Sequence, residues 1–142
     1  MKVFVDANIL VSVLNKQYPL FSDAARILSL ADNSKFEIYT SPICLSIAWY
    51  FAEKKSGSSL AARKMNLLCA HIHITGVGEE DARQTLANKK IHDFEDGLEY
   101  YSALESKCRV IVTEDTSDFY FSELEVLKAA DFLKNHVYSL TH

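Results

Sequence analysis

The chain has 142 residues, 49% of them hydrophobic and 24% charged, with a formal net charge of −4. That length fits one compact domain spanning residues 1–142, and four glycines with two prolines leave no room for a linker or a low-complexity tail. The acidic balance excludes a generic nucleic-acid coat, which holds phosphates with clustered lysine and arginine, while Asp6 and Asn8 break the first apolar run too early for a secretory or membrane-spanning segment.

"KVFVDAN" is a short apolar run closed by an acid, the form of a buried parallel strand whose carboxyl end opens onto a site. After "KQYP", the segment "FSDAARILSLADN" sets Phe21, Ala24, Ala25, Leu28 and Ala31 at helical spacing. "KFEIYTS" alternates like a strand, with Phe36, Ile38 and Thr40 on one side and Glu37 and Tyr39 on the other. Ser41-Pro42 predicts a helix start, since serine caps free amides and proline at the first helical position loses no needed donor. "PICLSIAWYFAEKK" continues as a largely buried helix. "SGSS" breaks it, and "LAARKMNLLCA" resumes with Leu60, Met65, Leu68 and Cys69 inward and Arg63, Lys64 and Asn66 outward.

"HIHITGV" reads as the next strand, and "GEEDARQTLANKK" as a helix with acids in its first turn and lysines in its last. "DFEDGLEYYSALESK" is helical again, with Phe94, Leu98, Tyr101 and Leu104 as its inward stripe. "CRVIVTED" runs into acids as the first strand does, and "LEVLKAADFLKNH" gives a short strand and a closing helix. Strands alternating with helices predict a three-layer α/β domain with a mainly parallel sheet, whose site lies beyond the carboxyl ends of the strands. Asp6, Asp115 and Asp118 belong there. Cys44, Cys69 and Cys108 are odd in number and flanked by apolar residues, as expected of buried free thiols in a reducing compartment, the cytoplasm.

Residues 89–119 carry eight carboxylates against three lysines and one arginine. Asp93, Glu95 and Asp96 fall at a helix start, where the macrodipole favours acids and a side chain can cap free amides. Asp93 and Asp96 share a face, with Glu95 about a quarter turn away, so Asp96, followed by Glu99 one turn on, is the better-placed ligand. If strands one and four are neighbours in the sheet, Asp6, Asp96 and Asp115, and Asp118 after them, meet in one cleft. Two like charges about 4 Å apart repel by ~1 kcal/mol in water and ~4 kcal/mol at the effective dielectric of a protein surface. Mg²⁺ or Mn²⁺ resolves that repulsion, being hard cations that take carboxylate oxygens.

"VFVDANIL", "DFEDGLEYYSALESKCRVIVTEDTSDF" and "LEVLKAADFL" together resemble the PIN domain family, the fold of many toxin nucleases in bacterial toxin-antitoxin pairs. The likeness spans nearly the whole chain. It implies a five-stranded parallel sheet in the order 3-2-1-4-5 and an Mg²⁺- or Mn²⁺-dependent ribonuclease. An RNA substrate, an antitoxin protein and a homodimer are the partners it implies, with no membrane. Position by position, it implies Asp6, Asp96, Asp115 and Asp118 as catalytic metal ligands, with Gly97 where alanine is usual and with Asn8 and Thr113 as supporting polar groups. Two positions depart from the family pattern. The glutamate usual early in the helix after strand two is absent from Leu45-Ser46-Ile47-Ala48, and Glu114 stands where arginine is frequent. Either Glu95 or Asp93 compensates, or the metal is held weakly, or activity is lost; the last case leaves a PIN-like module that binds RNA or a protein partner without cutting.

The remaining signals carry less. His71 and His73 share a strand face without a third ligand, and His92 beside the acidic helix start is a candidate phosphate contact. Trp49, Tyr50 and Phe51 cannot all point inward, which leaves Tyr50 or Trp49 for an interface with a second copy or an inhibitor protein, and Phe119–Phe121 forms a hydrophobic plug. An aspartyl phosphatase of the haloacid-dehalogenase type is excluded by Asn8 and Leu10, which replace the second aspartate and the Thr or Val that follows it. A receiver-type phosphoacceptor lacks its acid pair at the end of strand one.

Overall fold

In the computed structural model, residues 1–141 are described, with side chains through Ser139. Strands β1 (Lys2–Val5), β2 (Glu37–Thr40), β3 (His73–Ile74), β4 (Val110–Val112) and β5 (Glu125–Leu127) pair in parallel in the order β3-β2-β1-β4-β5. Val3, Phe4 and Val5 are fully buried, because β1 is central and covered on both faces; this is why its sequence is a continuous apolar run rather than an alternation. Phe4 registers with Tyr39 on one side and Ile111 on the other, and Val5 with Val112. The chain leaves β1 toward β2 and later enters β4 on the other side, so the sheet changes direction between β1 and β4, where α/β folds open their crevice.

The connecting helices are α1 (Ala7–Leu14), α2 (Leu20–Ser29), α3 (Pro42–Ser56), α4 (Ser58–Cys69), α5 (Glu79–Ala87), α6 (Phe94–Glu105) and α7 (Ala129–Phe132). Ser41 caps α3 as expected, its Oγ accepting from Cys44 N at 3.1 Å. The sequence reading had no counterpart of α1. Its buried residues, Ala7, Ile9, Leu10, Val11, Ser12 and Leu14, surround the axis and leave no amphipathic stripe to recognise. Lysines from two other helices close its carboxyl end: Lys64 Nζ donates to Leu14 O at 3.0 Å and Lys55 Nζ to Asn15 O. Lys64 is therefore not a simple outward residue, and Leu60, expected inward, is 39% exposed while Ala61 is fully buried. Helix α5 ends at Ala87, so Lys89 and Lys90 sit in the following loop rather than in its last turn.

The expected inward stripe of α6 is corrected. Its buried residues are Gly97, Glu99, Tyr100, Ser102 and Ala103, whereas Phe94 and Leu104 are about 40% exposed. Small residues face the neighbours because α6 approaches α5 closely: a Cβ on Gly97 would lie 2.3 Å from Thr85 Cγ2 and 3.0 Å from Ile91 Cγ2. Gly97→Ala therefore destabilises by about 1–2 kcal/mol, overpacking outweighing the ~1 kcal/mol of helix propensity gained. Removing the γ-methyl with Thr85→Ala reverses the sign, so that alanine at 97 stabilises that background. Urea unfolding of the four proteins checks this, and equal losses in both backgrounds would discard the contact.

Cys44 and Cys108 are buried and Cys69 half-buried, all three free. Burial pushes the Cys108 thiol up to about 12. Phe119 is the plug, at 2% exposed, while Tyr120 faces out; Trp49 packs on the core and Tyr50 and Phe51 are exposed. Among the described residues no helix is long and apolar enough to cross a membrane.

Candidate functional site

The first acid sits where β1 becomes α1. Asp6 keeps extended backbone angles and its N–H still donates to Val112 O at 3.0 Å, while its Oδ1 accepts from Ala7 N at 2.7 Å and caps the helix. Its other oxygen, Oδ2, accepts from Thr113 Oγ1 at 2.8 Å. Thr113, the first residue beyond β4, is fully buried, and its hydroxyl also accepts from Asn8 Nδ2 and Asp115 N, each at 3.1 Å. One donated and two accepted bonds exhaust what a hydroxyl can make. Asn8 ties the same loop from the α1 side: Nδ2 donates to Asp115 Oδ2 at 3.3 Å and Oδ1 accepts from Glu114 N at 3.2 Å. Asp118 follows one short turn later, its N–H donating to Asp115 O at 3.0 Å.

The remaining acids come from α6. Asp93 is its cap, Oδ1 accepting from Asp96 N at 3.2 Å, and its side chain does not line the cleft. Asp96 and Glu95 both do, so Glu95 does not point away as the sequence spacing implied. Asp6, Glu95, Asp96, Glu99, Asp115 and Asp118 face one cavity of about 430 Å³, bounded on its apolar side by Ile47 and Phe51, with no lysine or arginine among its lining residues.

Each acid's proton affinity registers the others. Burial, then Asp93, Asp118, Asp6 and Glu95 raise Asp96 to about 7. Burial, then Asp115, Asp6 and Asp93 raise Asp118, and burial, Asp93 and Asp6 raise Glu95. Carboxylates gathered without cationic side chains fit a hard divalent ion such as Mg²⁺ or Mn²⁺, which takes oxygen ligands and retains waters.

Sequence reasoning gave Glu99 only a passing place, as a companion of Asp96. It is 1% exposed, and burial, reinforced by Asp6, pushes its carboxyl up to about 10. Cys44, from the first turn of α3, donates its thiol to Glu99 Oε1 at 2.6 Å and lies 3.7 Å from Asp6 Oδ1. Burial, then Glu99 and Asp6, raise that thiol well above its ordinary value. The signal for Glu99 was its spacing, three residues after Asp96 and so on the same side of α6. The departure at position 114 has a local reason: Glu114 Oε2 accepts from Ala129 N at 2.9 Å, satisfying a free amide at the start of α7. His71 and His73 turn to separate acids, Asp32 at 3.6 Å and Glu37 at 3.8 Å. His92 stacks on Tyr120 outside the cavity lining, ring centroids 5.7 Å apart.

A carboxylate-lined crevice at the direction change of a parallel 3-2-1-4-5 sheet defines an α/β domain of the PIN class. The sequence profile of the PIN domain matches residues 2–117, and the chain belongs to this family. It is similar to Ribonuclease VapC1 of Aquifex aeolicus (strain VF5), 26% identical over 138 residues and covering 92% of each chain. In fold it is similar to VapBC-1 from nontypeable Haemophilus influenzae, with a TM-score of 0.68 and 19% identity over 92% of this chain and 99% of that one. It is likewise similar to Mycobacterium tuberculosis VapC20, a sarcin-ricin loop cleaving toxin, with a TM-score of 0.65 and 15% identity over 86% of this chain and 98% of that one.

Proposed function

We propose that this protein is a cytoplasmic ribonuclease that hydrolyses RNA phosphodiesters with Mg²⁺ or Mn²⁺ held by Asp6, Asp96, Asp115 and Asp118. The observation that carries this is the convergence of those four acids, from three separate segments, on one cavity without a basic residue. The relatives' names support the choice of RNA: one is a ribonuclease, another cleaves the sarcin-ricin loop. When bound, a divalent ion supplies an activated water and neutralises charge on the scissile phosphate and the leaving oxygen.

The chain's own residues do the positioning. Asp6 is held by the first amide of α1 and the Thr113 hydroxyl, and Asn8 holds Asp115 opposite it, so both carboxylates are fixed before substrate arrives. Asp96, raised to about 7 by burial and its acidic neighbours, would give up its proton to serve as a ligand. Ile47 and Phe51 keep water from one side of the cleft. An antitoxin-type protein and a second copy are the proposed macromolecular partners; Tyr50, 58% exposed on α3, is an aromatic anchor suited to such a contact.

One observation favours a second reading. On α3 the cleft side carries Ile47 and Phe51 and no acid, as in a module that retains RNA without cutting it. Incubating the purified protein with single-stranded RNA separates the two. Cleavage in Mn²⁺ or Mg²⁺ that stops in EDTA is the expected result; RNA retained intact in a gel shift under both conditions would replace the nuclease by the binding module.

A further inference from the structure

We propose that Glu99 is a further carboxylate ligand of the divalent ion and that Cys44 is its positioning donor; this rests on the metal-dependent reading above. Glu99 is buried on α6 with Gly97, Tyr100, Ser102 and Ala103, and the one other hydroxyl there besides that of Tyr100, Ser102 Oγ, donates to the Glu99 backbone oxygen rather than to its carboxyl. Among the described residues, ion pairs join His71 to Asp32, His73 to Glu37, Arg83 to Glu79 and His136 to Glu125, and none reaches Glu99. Its side-chain partners are the Cys44 thiol and the Asp6 carboxyl, and neither brings a positive charge. Burying the charged form of Glu99 on those terms is strongly unfavourable unless a cation joins it.

Geometry supplies the place for that cation. Glu99 lines the cavity, and the ligand atoms of Asp6, Cys44 and Glu99 all lie within 4.8 Å of one another. Asp6 and Glu99 would together offer carboxylate oxygens to one hard divalent ion at that place. Helix α3 lines the cavity with Ile47 and Phe51, with Cys44 buried behind them against Glu99, and the acid on that side of the cleft comes from α6 instead. Hard ions select carboxylate oxygen over sulfur, which leaves Cys44 to orient Glu99 rather than to bind. Its own position is fixed by the Ser41 cap. The Cys44 thiol would thus touch the carboxylate and not the ion, and hold it in the orientation that binds.

Mn²⁺ binding, followed by the electron paramagnetic resonance of the free ion, and melting in EDTA and in Mn²⁺ test the assignment. Glu99→Gln, which keeps the shape and an acceptor for Cys44, is expected to bind Mn²⁺ about 100-fold more weakly, to melt in EDTA no lower than wild type, and to lose most of the Mn²⁺-induced rise. Glu99→Asp, which keeps the charge but not the reach, is expected to bind about tenfold more weakly. Cys44→Ala is expected to lose about tenfold in affinity and Cys44→Ser to recover it. Wild-type affinity in both Glu99 variants would overturn the ligand role while leaving the nuclease reading standing; a wild-type protein that binds no Mn²⁺ would overturn both. A thiolate-to-metal charge-transfer band with Co²⁺ that disappears in Cys44→Ser would show direct sulfur ligation and overturn the positioning role.

Discussion

Asp6→Asn and Asp96→Asn each lower metal-dependent RNA cleavage by about 10³-fold or more, equivalent to ~4 kcal/mol of transition-state stabilisation, while the domain stays folded. The second half of that result follows from what each side chain does besides facing the cleft. Asparagine caps a helix as well as aspartate does, so Oδ1 at position 6 still accepts from Ala7 N. The amide nitrogen then meets the Thr113 hydroxyl, which already accepts from Asn8 and Asp115, and that crowding of donors costs about 1 kcal/mol. Relief of repulsion among the neighbouring acids offsets it. Asp96 caps nothing with its side chain, and its neutral variant is expected to be at least as stable as wild type without metal. Cleavage rates beside circular-dichroism melts check both halves; a variant that cuts at the wild-type rate removes its acid from the mechanism.

Without metal the protein is more stable at pH 5 than at pH 8, by ~2 kcal/mol, about 6 °C in melting temperature. The sign comes from the direction of the shifts. Asp96 rises from 3.8 to about 7 and Glu99 from 4.5 to about 10, so above the unfolded values the native state holds protons that the unfolded chain has released. Stability is therefore greatest below about pH 4.5 as far as these groups are concerned. It drains away as pH rises through Asp96's range and toward Glu99's, with Glu95 and Asp118 shifted the same way. Metal opposes this, because it binds the deprotonated acids and its apparent affinity climbs with pH. A site occupied at a hundred times its dissociation constant adds ~2.7 kcal/mol. The Mn²⁺-induced rise in melting temperature is thus larger at pH 8 than at pH 5. Fluorimetric melts at the two pH values, with EDTA or Mn²⁺, decide it, and a metal-free melting temperature that climbs from pH 5 to 8 contradicts the electrostatics described for the cleft.

The strands that end in acids were legible because β1 and β4 are covered on both faces, and such strands write themselves as unbroken apolar runs. Sheet order was not contained in any pattern of the residues and came from the family likeness. Helix α1 was illegible for the same reason that β1 was clear: burial on all sides erases the periodicity by which helices are found. On α6 the reading by side-chain size chose Phe94 and Leu104, whereas close approach to α5 places the small residues inward. Glu99 fell through the same gap, since a search for apolar periodicity discards a buried acid. Asp96 was preferred to Asp93 for its place one turn before Glu99, and the hydrogen bond from Asp96 N makes Asp93 the cap.

Two stretches, Asp6–Asn8 and Thr113–Asp115, face each other across the cleft. Asp6 is followed two residues later by Asn8, and Thr113 two residues later by Asp115, with side chains crossing between them. Because the strands beneath are locked by Val5 against Val112, one added residue in either stretch would carry its crossing side chains away from their partners. Insertions and deletions are thereby barred from this corner of the chain, and sequence drift in length has to be absorbed elsewhere.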